Sequence, residues 1–266
     1  MKDAAMNLSK LILELGGSNP TIVDQTCNLE LTVKRLLWAK FSNAGQTCIT
    51  CNHVYVHQKI YEKFLEEIKL QLTTSLGKDA EESDDYSRII NGFHTKRILK
   101  MMEGQQDNIY FQNGRTNVEK CFIPPTILTN VPKDHQLIKE EIFGPLLPVL
   151  KFENIDQIIT EINEGEKSLN INYYGDIKSK NYEKLKRQTS SGAILANDHL
   201  WNYFSSTTGF GGVGNSGNGR IRGFPGFTEL SNKKTILGKN LFYFSTNFFR
   251  KGKRIIFGFA NEISSS

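Results

Sequence analysis

Apolar positions along this chain repeat with two spacings, one helical and one extended, and the two alternate. From residue 29 to 44, Leu29, Val33, Leu36, Leu37 and Phe41 fall on one face of a helix. "HVYVH" (53–57) reads as a strand and leads into an amphipathic helix with Ile60, Phe64, Ile68 and Leu72 at i, i+4 steps, ended by Gly77. Residues 86 to 103 predict a further helix, stopped by Gly104. "FIPPTIL" (122–128) and "PLLPVLKF" (145–152) predict extended segments, because proline fixes φ and removes a donor. Asn154 then caps a helix with Ile155, Ile158, Ile159 and Ile162 on one side. "KLILELGG" (10–17) and "GAILAN" (192–197) predict short buried strands, the first entering a Gly-Gly turn. Strands alternating with helices predict an α/β fold with a mostly parallel sheet flanked by helices.

Composition changes this picture little. At 266 residues with 38% hydrophobic and 23% charged positions, the chain can bury a sizeable core and shows no low-complexity linker or solenoid repeat. Of the net charge of +5, +3 falls in residues 241–266 (Arg250, Lys251, Lys253 and Arg254 against Glu262). The body is nearly balanced, so no nucleic-acid partner is expected. That tail interleaves aromatics with basic residues, which suits contact with an anionic membrane surface; a frayed or partly docked tail is the simpler reading. Four cysteines in a chain of this length do not make a disulfide framework, and a reduced, cytoplasmic setting is expected, peripheral to an internal membrane if the tail binds one. The first residues have neither the apolar core nor the cleavage site of a signal peptide, and no apolar run reaches the ~20 residues needed to cross a bilayer.

Two motifs invite over-reading. Cys48 and Cys51 have C-x-x-C spacing, yet Cys27 and Cys121 stand alone and supply no second pair for zinc. A redox pair would open a helix after a strand, whereas here the predicted helix precedes it. "GFGGVGNSGNG" (209–219) contains G-x-G-x-x-G at Gly212, Gly214 and Gly217. The run behind it, "NGRIRGFPGF", is expected not to form a helix, and Glu229 lies too near for a ribose contact. A tightly turning loop is expected, not a phosphate cradle.

Five segments taken in order say more: "LELGGSNP" (13–20), "FSNAGQTC" (41–48), "PPTIL" (124–128), "EEIFGPLLPV" (140–149) and "FGGVGNSGNG" (210–219). Their order resembles the aldehyde dehydrogenase superfamily. With "SSGAILAND" (190–198) and "DDYSRI" (84–89), the chain is most similar to the class 3 branch, which oxidises medium-chain, long-chain and aromatic aldehydes. The resemblance covers residues 1 to about 238 and implies an aldehyde dehydrogenase-like catalytic domain with a C-terminal arm. It makes Cys48 the nucleophile and Cys51 a bystander. It makes Glu14, 34 residues earlier, the general base, and assigns Glu141 and Phe143 to the nicotinamide ribose and ring of NAD or NADP. Trp201, Tyr203 and Phe204 resemble the lining of the aldehyde entrance, with ordinary packing as an equal alternative. Singly, each residue has a plainer reading: a buried cysteine is a small hydrophobe, and a Glu-Glu pair is a solvated face.

The resemblance also implies departures. The family's dinucleotide-binding domain precedes "LELGG", so residues 1–16 are expected to be a remnant of the joining helix and strand, with Met1 an internal methionine. Residues 17–238 are then the catalytic domain with its oligomerisation arm, and 239–266 a basic, aromatic tail. Ser18 stands where the family commonly has Lys, and Asn170 and Asn172 interrupt an apolar strand. An aldehyde is the implied substrate, with a homodimer or association with full-length relatives as the implied assembly. The alternatives to a dehydrogenase are an inactive homologue that associates with such relatives, or a cofactor-independent thiol esterase.

Overall fold

A computed structural model describes residues 1–238. Residues Met1–Ser231 form one compact unit. The membrane-contact expectation for 239–266 lies outside the described residues. Among the described residues, no helix is long and apolar enough to cross a membrane.

The elements in chain order are α1 (Lys2–Met6), β1 (Leu13–Glu14), β2 (Pro20–Val23), α2 (Leu29–Phe41), β3 (His53–His57), α3 (Tyr61–Leu76), α4 (Gly92–Met101), β4 (Ile109–Gln112), β5 (Thr126–Thr129), α5 (Gln136–Lys139), β6 (Leu146–Phe152), α6 (Ile155–Glu164), β7 (Asn170–Tyr174), α7 (Lys180–Gln188), β8 (Ala193–Ala196), α8 (Trp201–Phe204), β9 (Gly217–Asn218) and α9 (Gly223–Leu230). Seven strands form one sheet in the order β4-β5-β6-β3-β2-β7-β8. All its pairings are parallel except that of edge strand β4 with β5. The predicted α/β class and mostly parallel sheet are therefore observed.

Right-handed crossovers explain the layers. From β2 the chain moves through α2 to β3 on one side, whereas from β6 it passes through α6 to β7 and then through α7 to β8 in the opposite direction. Opposite directions with one handedness put α2 and α6 on opposite faces of the sheet. Tyr55 on β3 donates to Glu161 of α6 (3.1 Å), and Tyr173 on β7 packs on Tyr182 of α7 (5.1 Å between ring centres), so these residues mark the α6–α7 face. With both faces covered, β2, β3 and β7 are buried at every position.

Several sequence expectations need correction. "KLILELGG" is not a buried strand: β1 is two residues long, half-exposed, and pairs antiparallel with β9. The buried strand is the next segment, "PTIV", too short and too unpatterned to stand out. The helix expected over 86–103 begins only at Gly92, because the Asn91 side chain caps it through the His94 N–H and Ile89 is tied to Cys121 O instead. "GAILAN" is half-buried, since β8 is an edge strand paired only with β7 among the described residues. Residues 223–230 do form a helix: Pro225 sits in its first turn, where a missing N–H costs no internal bond.

Candidate active site

The segments that approach the amino ends of β2, β3 and β6 carry Glu14, Cys48 and Glu141, respectively. The site thus lies at the amino edge of the sheet, opposite the carboxyl edge where open α/β sheets generally bind ligands. At that carboxyl edge, where connections from β2 and β7 diverge, a cavity of about 310 Å³ is lined by Thr26, Cys27, Gly175 and Asn197, and none of the predicted site residues reaches it.

How "FSNAGQTC" holds its cysteine follows from its backbone. After α2, Asn43, Ala44 and Gly45 all take left-handed φ values of 53°, 53° and 75°. Such a run is costly for residues with a Cβ and persists only where the surroundings enforce it. A Cβ on Gly45 would fall well inside van der Waals contact of Gly144 O, so the glycines of "NAGQTC" and "EEIFGP" meet directly. In the same way a Cβ on Gly16 would collide with the Glu141 carboxylate, which packs on the "LELGG" turn. These two contacts give a physical reason for the glycines of three motifs far apart in sequence.

Cys48 is half-buried, and its Sγ lies 3.9 Å from Glu14 Oε2, within reach of a thiol hydrogen bond. Burial pushes the Cys48 thiol up to about 12, and the Glu14 and Glu141 charges push the same way; its own backbone N–H is the opposing influence. The resting thiol is therefore protonated at neutral pH. Burial also raises Glu14 and Glu141 above the usual carboxylate range, against a stabilising contact with Cys48 for Glu14 and with the Gly17 N–H for Glu141. A carboxylate raised in this way is a proton acceptor suited to neutral pH, and here it lies beside a thiol whose ionised form it disfavours.

Glu141 also lines a cleft of about 780 Å³ together with Gly16, Gly17, Ser18 and Ser168. Phe143, 39% exposed and at φ 46°, stands beside it in sequence on the same strained turn. A carboxylate acceptor facing open space, with an exposed ring two residues on, suits the ribose and ring end of a nicotinamide nucleotide. The glycine-rich loop does not suit its phosphates. Gly212 is packed against Ser216 O in a tight turn, and Arg220 donates to Gly212 O (2.7 Å) and Gly219 O (2.9 Å). The four cysteines are free, and Cys51 is buried with its thiol on His53 O (3.2 Å).

Trp201 and Phe204 are 60% and 57% exposed, so α8 forms an open lip and not a closed channel. Tyr203 packs edge-on to Phe210 (5.3 Å) with the Arg222 guanidinium over its ring (3.9 Å). Contact with Cys48 comes through residues that sequence reasoning missed: Leu200, Phe210, Leu169, Ile49 and Ala39 form a separate apolar cluster against which it packs. Asn19 was missed too; its amide donates to Cys48 O (2.7 Å) and Thr50 O (2.9 Å), fixing the peptide that follows Cys48. The Asn between "LELGGS" and Pro20 was visible in the sequence, but nothing local marks its target.

Fold and site together define an α/β protein with a cysteine and two carboxylates gathered at one edge of its sheet. The chain belongs to the aldehyde dehydrogenase family: the model of the "Aldehyde dehydrogenase family" matches residues 1–236. It is 38% identical over 244 residues to aldehyde dehydrogenase family 3 member A2 of Pongo abelii, covering 91% of this chain and 49% of that protein. It is 36% identical over 241 residues to the dimeric NADP-preferring aldehyde dehydrogenase of Canis lupus familiaris, covering 91% and 52%. Among solved structures, the substrate-bound state of Staphylococcus aureus AldH superposes with a TM-score of 0.82 at 31% identity, covering 90% of this chain and 53% of that one. The chain thus spans about half the length of the curated relatives it matches. The family it belongs to is one of oxidoreductases that use NAD(P).

Proposed function

We propose that this chain carries the catalytic half of an NAD(P)-dependent oxidation of medium-chain, long-chain or aromatic aldehydes, with Cys48 as nucleophile and Glu14 as base. The observation that carries this reading is the 3.9 Å approach of Cys48 Sγ to the Glu14 carboxylate. The thiol proton ends on the carbonyl oxygen as sulfur adds to the aldehyde carbon, so a thiohemiacetal results and Glu14 remains a carboxylate. When bound, NAD(P)+ supplies the hydride acceptor that turns this adduct into a thioester, and Glu141 with Phe143 would hold its ribose and ring. Glu14 then takes a proton from water, whose oxygen adds to the thioester carbon; the C–S bond breaks, the acid leaves and Cys48 regains its proton. The exposed α8 aromatics give an apolar approach for the substrate tail.

Aldehyde binding is tested by protection. Octanal should shield Cys48 from iodoacetamide saturably, while octanol should not; equal effects of both, or of neither, would defeat the assignment.

The half-buried edge strand β8 favours a second, compatible reading, addition of a strand from another subunit to form a dimer. A monomer at micromolar concentration by sedimentation would count against it. A cytoplasmic setting with membrane contact through residues 239–266 completes the reading, and flotation with anionic vesicles, compared before and after removal of those residues, checks it.

A further inference from the structure

β7 carries Asn170, Asn172 and Tyr174 on the face away from α7, and each is fully or almost fully buried. Three alternate polar side chains in a central strand need partners. Tyr174 finds one in His199, its hydroxyl 2.6 Å from Nδ1, while His199 Nε2 lies 3.1 Å from Thr21 Oγ1. Asn170 finds one in Asn202: the two amides exchange hydrogen bonds of 2.9 and 3.3 Å. His199 and Asn202 bracket the turn into α8, so the aromatic lip is pinned to β7 at two points. The backbone N–H of Asn170 meanwhile donates to Asn19 Oδ1 (2.8 Å), and Asn19 Nδ2 donates to Cys48 O.

We infer that Asn19, Asn170 and Asn202 form a positioning ladder that sets the aromatic lip at a fixed height over Cys48. This rests on the reading of Cys48 as nucleophile and of α8 as the lip of the aldehyde approach. The ladder runs from the nucleophile's own carbonyl, through a side-chain amide and a strand peptide, to a side chain in the middle of the lip. Each link is a hydrogen bond in a buried or half-buried setting, where a lost partner leaves a desolvated group behind. None of the three asparagines touches the reacting atoms; they act through Cys48 and through Trp201 and Phe204. Asn172 supplies an internal control. It is as buried as Asn170 and sits on the same face of the same strand, yet neither of its amide atoms has a partner. It contributes polarity without a connection.

The test uses this chain with Trp38→Phe, leaving Trp201 as its sole tryptophan. Two quantities are read: Trp201 emission, and the rate at which iodoacetamide labels Cys48, followed by mass of the peptide that carries it, since Cys27 and Cys121 are free as well. Asn202→Ala is expected to red-shift Trp201 and to change the Cys48 labelling rate at least threefold. Asn202→Asp, which keeps an acceptor for Asn170 Nδ2, is expected to recover part of both effects; it also serves if the alanine variant does not fold. Asn172→Leu is expected to change neither. Equal effects of Asn172→Leu and Asn202→Ala would reduce the ladder to generic packing of β7 and overturn the proposal. So would a Cys48 labelling rate unmoved by either Asn202 variant. Neither readout requires aldehyde turnover, so the ladder stands or falls apart from the proposed chemistry; failed octanal protection with an intact ladder result would remove only the latter.

Discussion

Replacing Glu14 by Gln should make Cys48 easier to alkylate while making its acyl form harder to hydrolyse. The two carboxylates near the sulfur disfavour the thiolate, and Glu14, at 3.9 Å, has the larger effect. At that separation two unit charges repel by about 1 kcal/mol in a water-like dielectric and about 4 kcal/mol at an effective value near 20. Glu14 is exposed, so the screened end of that range applies. Removing its charge should therefore lower the thiol by roughly one unit, and 1.4 kcal/mol corresponds to tenfold more thiolate. The assay is the second-order rate of iodoacetamide labelling of Cys48 between pH 7 and 10, by intact mass, with Cys48→Ala as blank. In the unaltered protein the rate should climb through this whole window without a plateau, because the thiol is held near 12. In Glu14→Gln the profile should shift about one unit to lower pH. An unchanged or slower rate would mean that Glu14 does not disfavour the thiolate, and the electrostatic account of the site would fail.

Lys40 is fully buried, donates to Cys51 O (2.9 Å), and is pushed down to about 8 by burial. Between that value and 10.5 the unfolded chain binds the extra proton, so Lys40 makes stability rise with pH there. Lys40→Met should abolish this slope, measured as the difference in urea midpoint between pH 8 and 9; an identical slope in both proteins would refute it. Gly45→Ala should cost at least about 2 kcal/mol, because left-handed strain adds to a clash with Gly144 O, whereas Gly104→Ala, at φ 76° in open space, should cost only about 1 kcal/mol. For a unit of this size those costs correspond to drops in Tm of roughly 4–8 °C and 2–4 °C, and equal drops in calorimetry would show that the contact between the two motifs is unimportant.

The sequence disclosed what is local and periodic. α3 and α6 carried their apolar stripes on their own residues, with Gly77 stopping the first and Asn154 capping the second, and both formed close to where the pattern put them. β2 escaped because four residues that are buried on both faces show no alternation. α9 escaped because Pro225 reads as a breaker unless its place in the first turn is known. The site divides in the same way. Glu14, Cys48 and Glu141 were legible as motifs, and the structure brings all three to one edge of the sheet. Their electrostatics were not legible: burial raises Glu14 although β1 is short and half-exposed, and that burial is set by what the fold packs around the carboxylate. The asparagine ladder was invisible, because an amide's partner is set by what the fold brings opposite it. Asn170 and Asn172 look alike in the sequence, yet one is paired and the other is not.

The most direct test of the central claim is the intact mass of the protein after brief exposure to p-nitrophenyl octanoate without nucleotide. The account predicts one octanoyl group, transient in the unaltered chain, persistent in Glu14→Gln and absent from Cys48→Ala. Acylation that survives Cys48→Ala, or a Glu14→Gln adduct that decays as fast as the original, would contradict it.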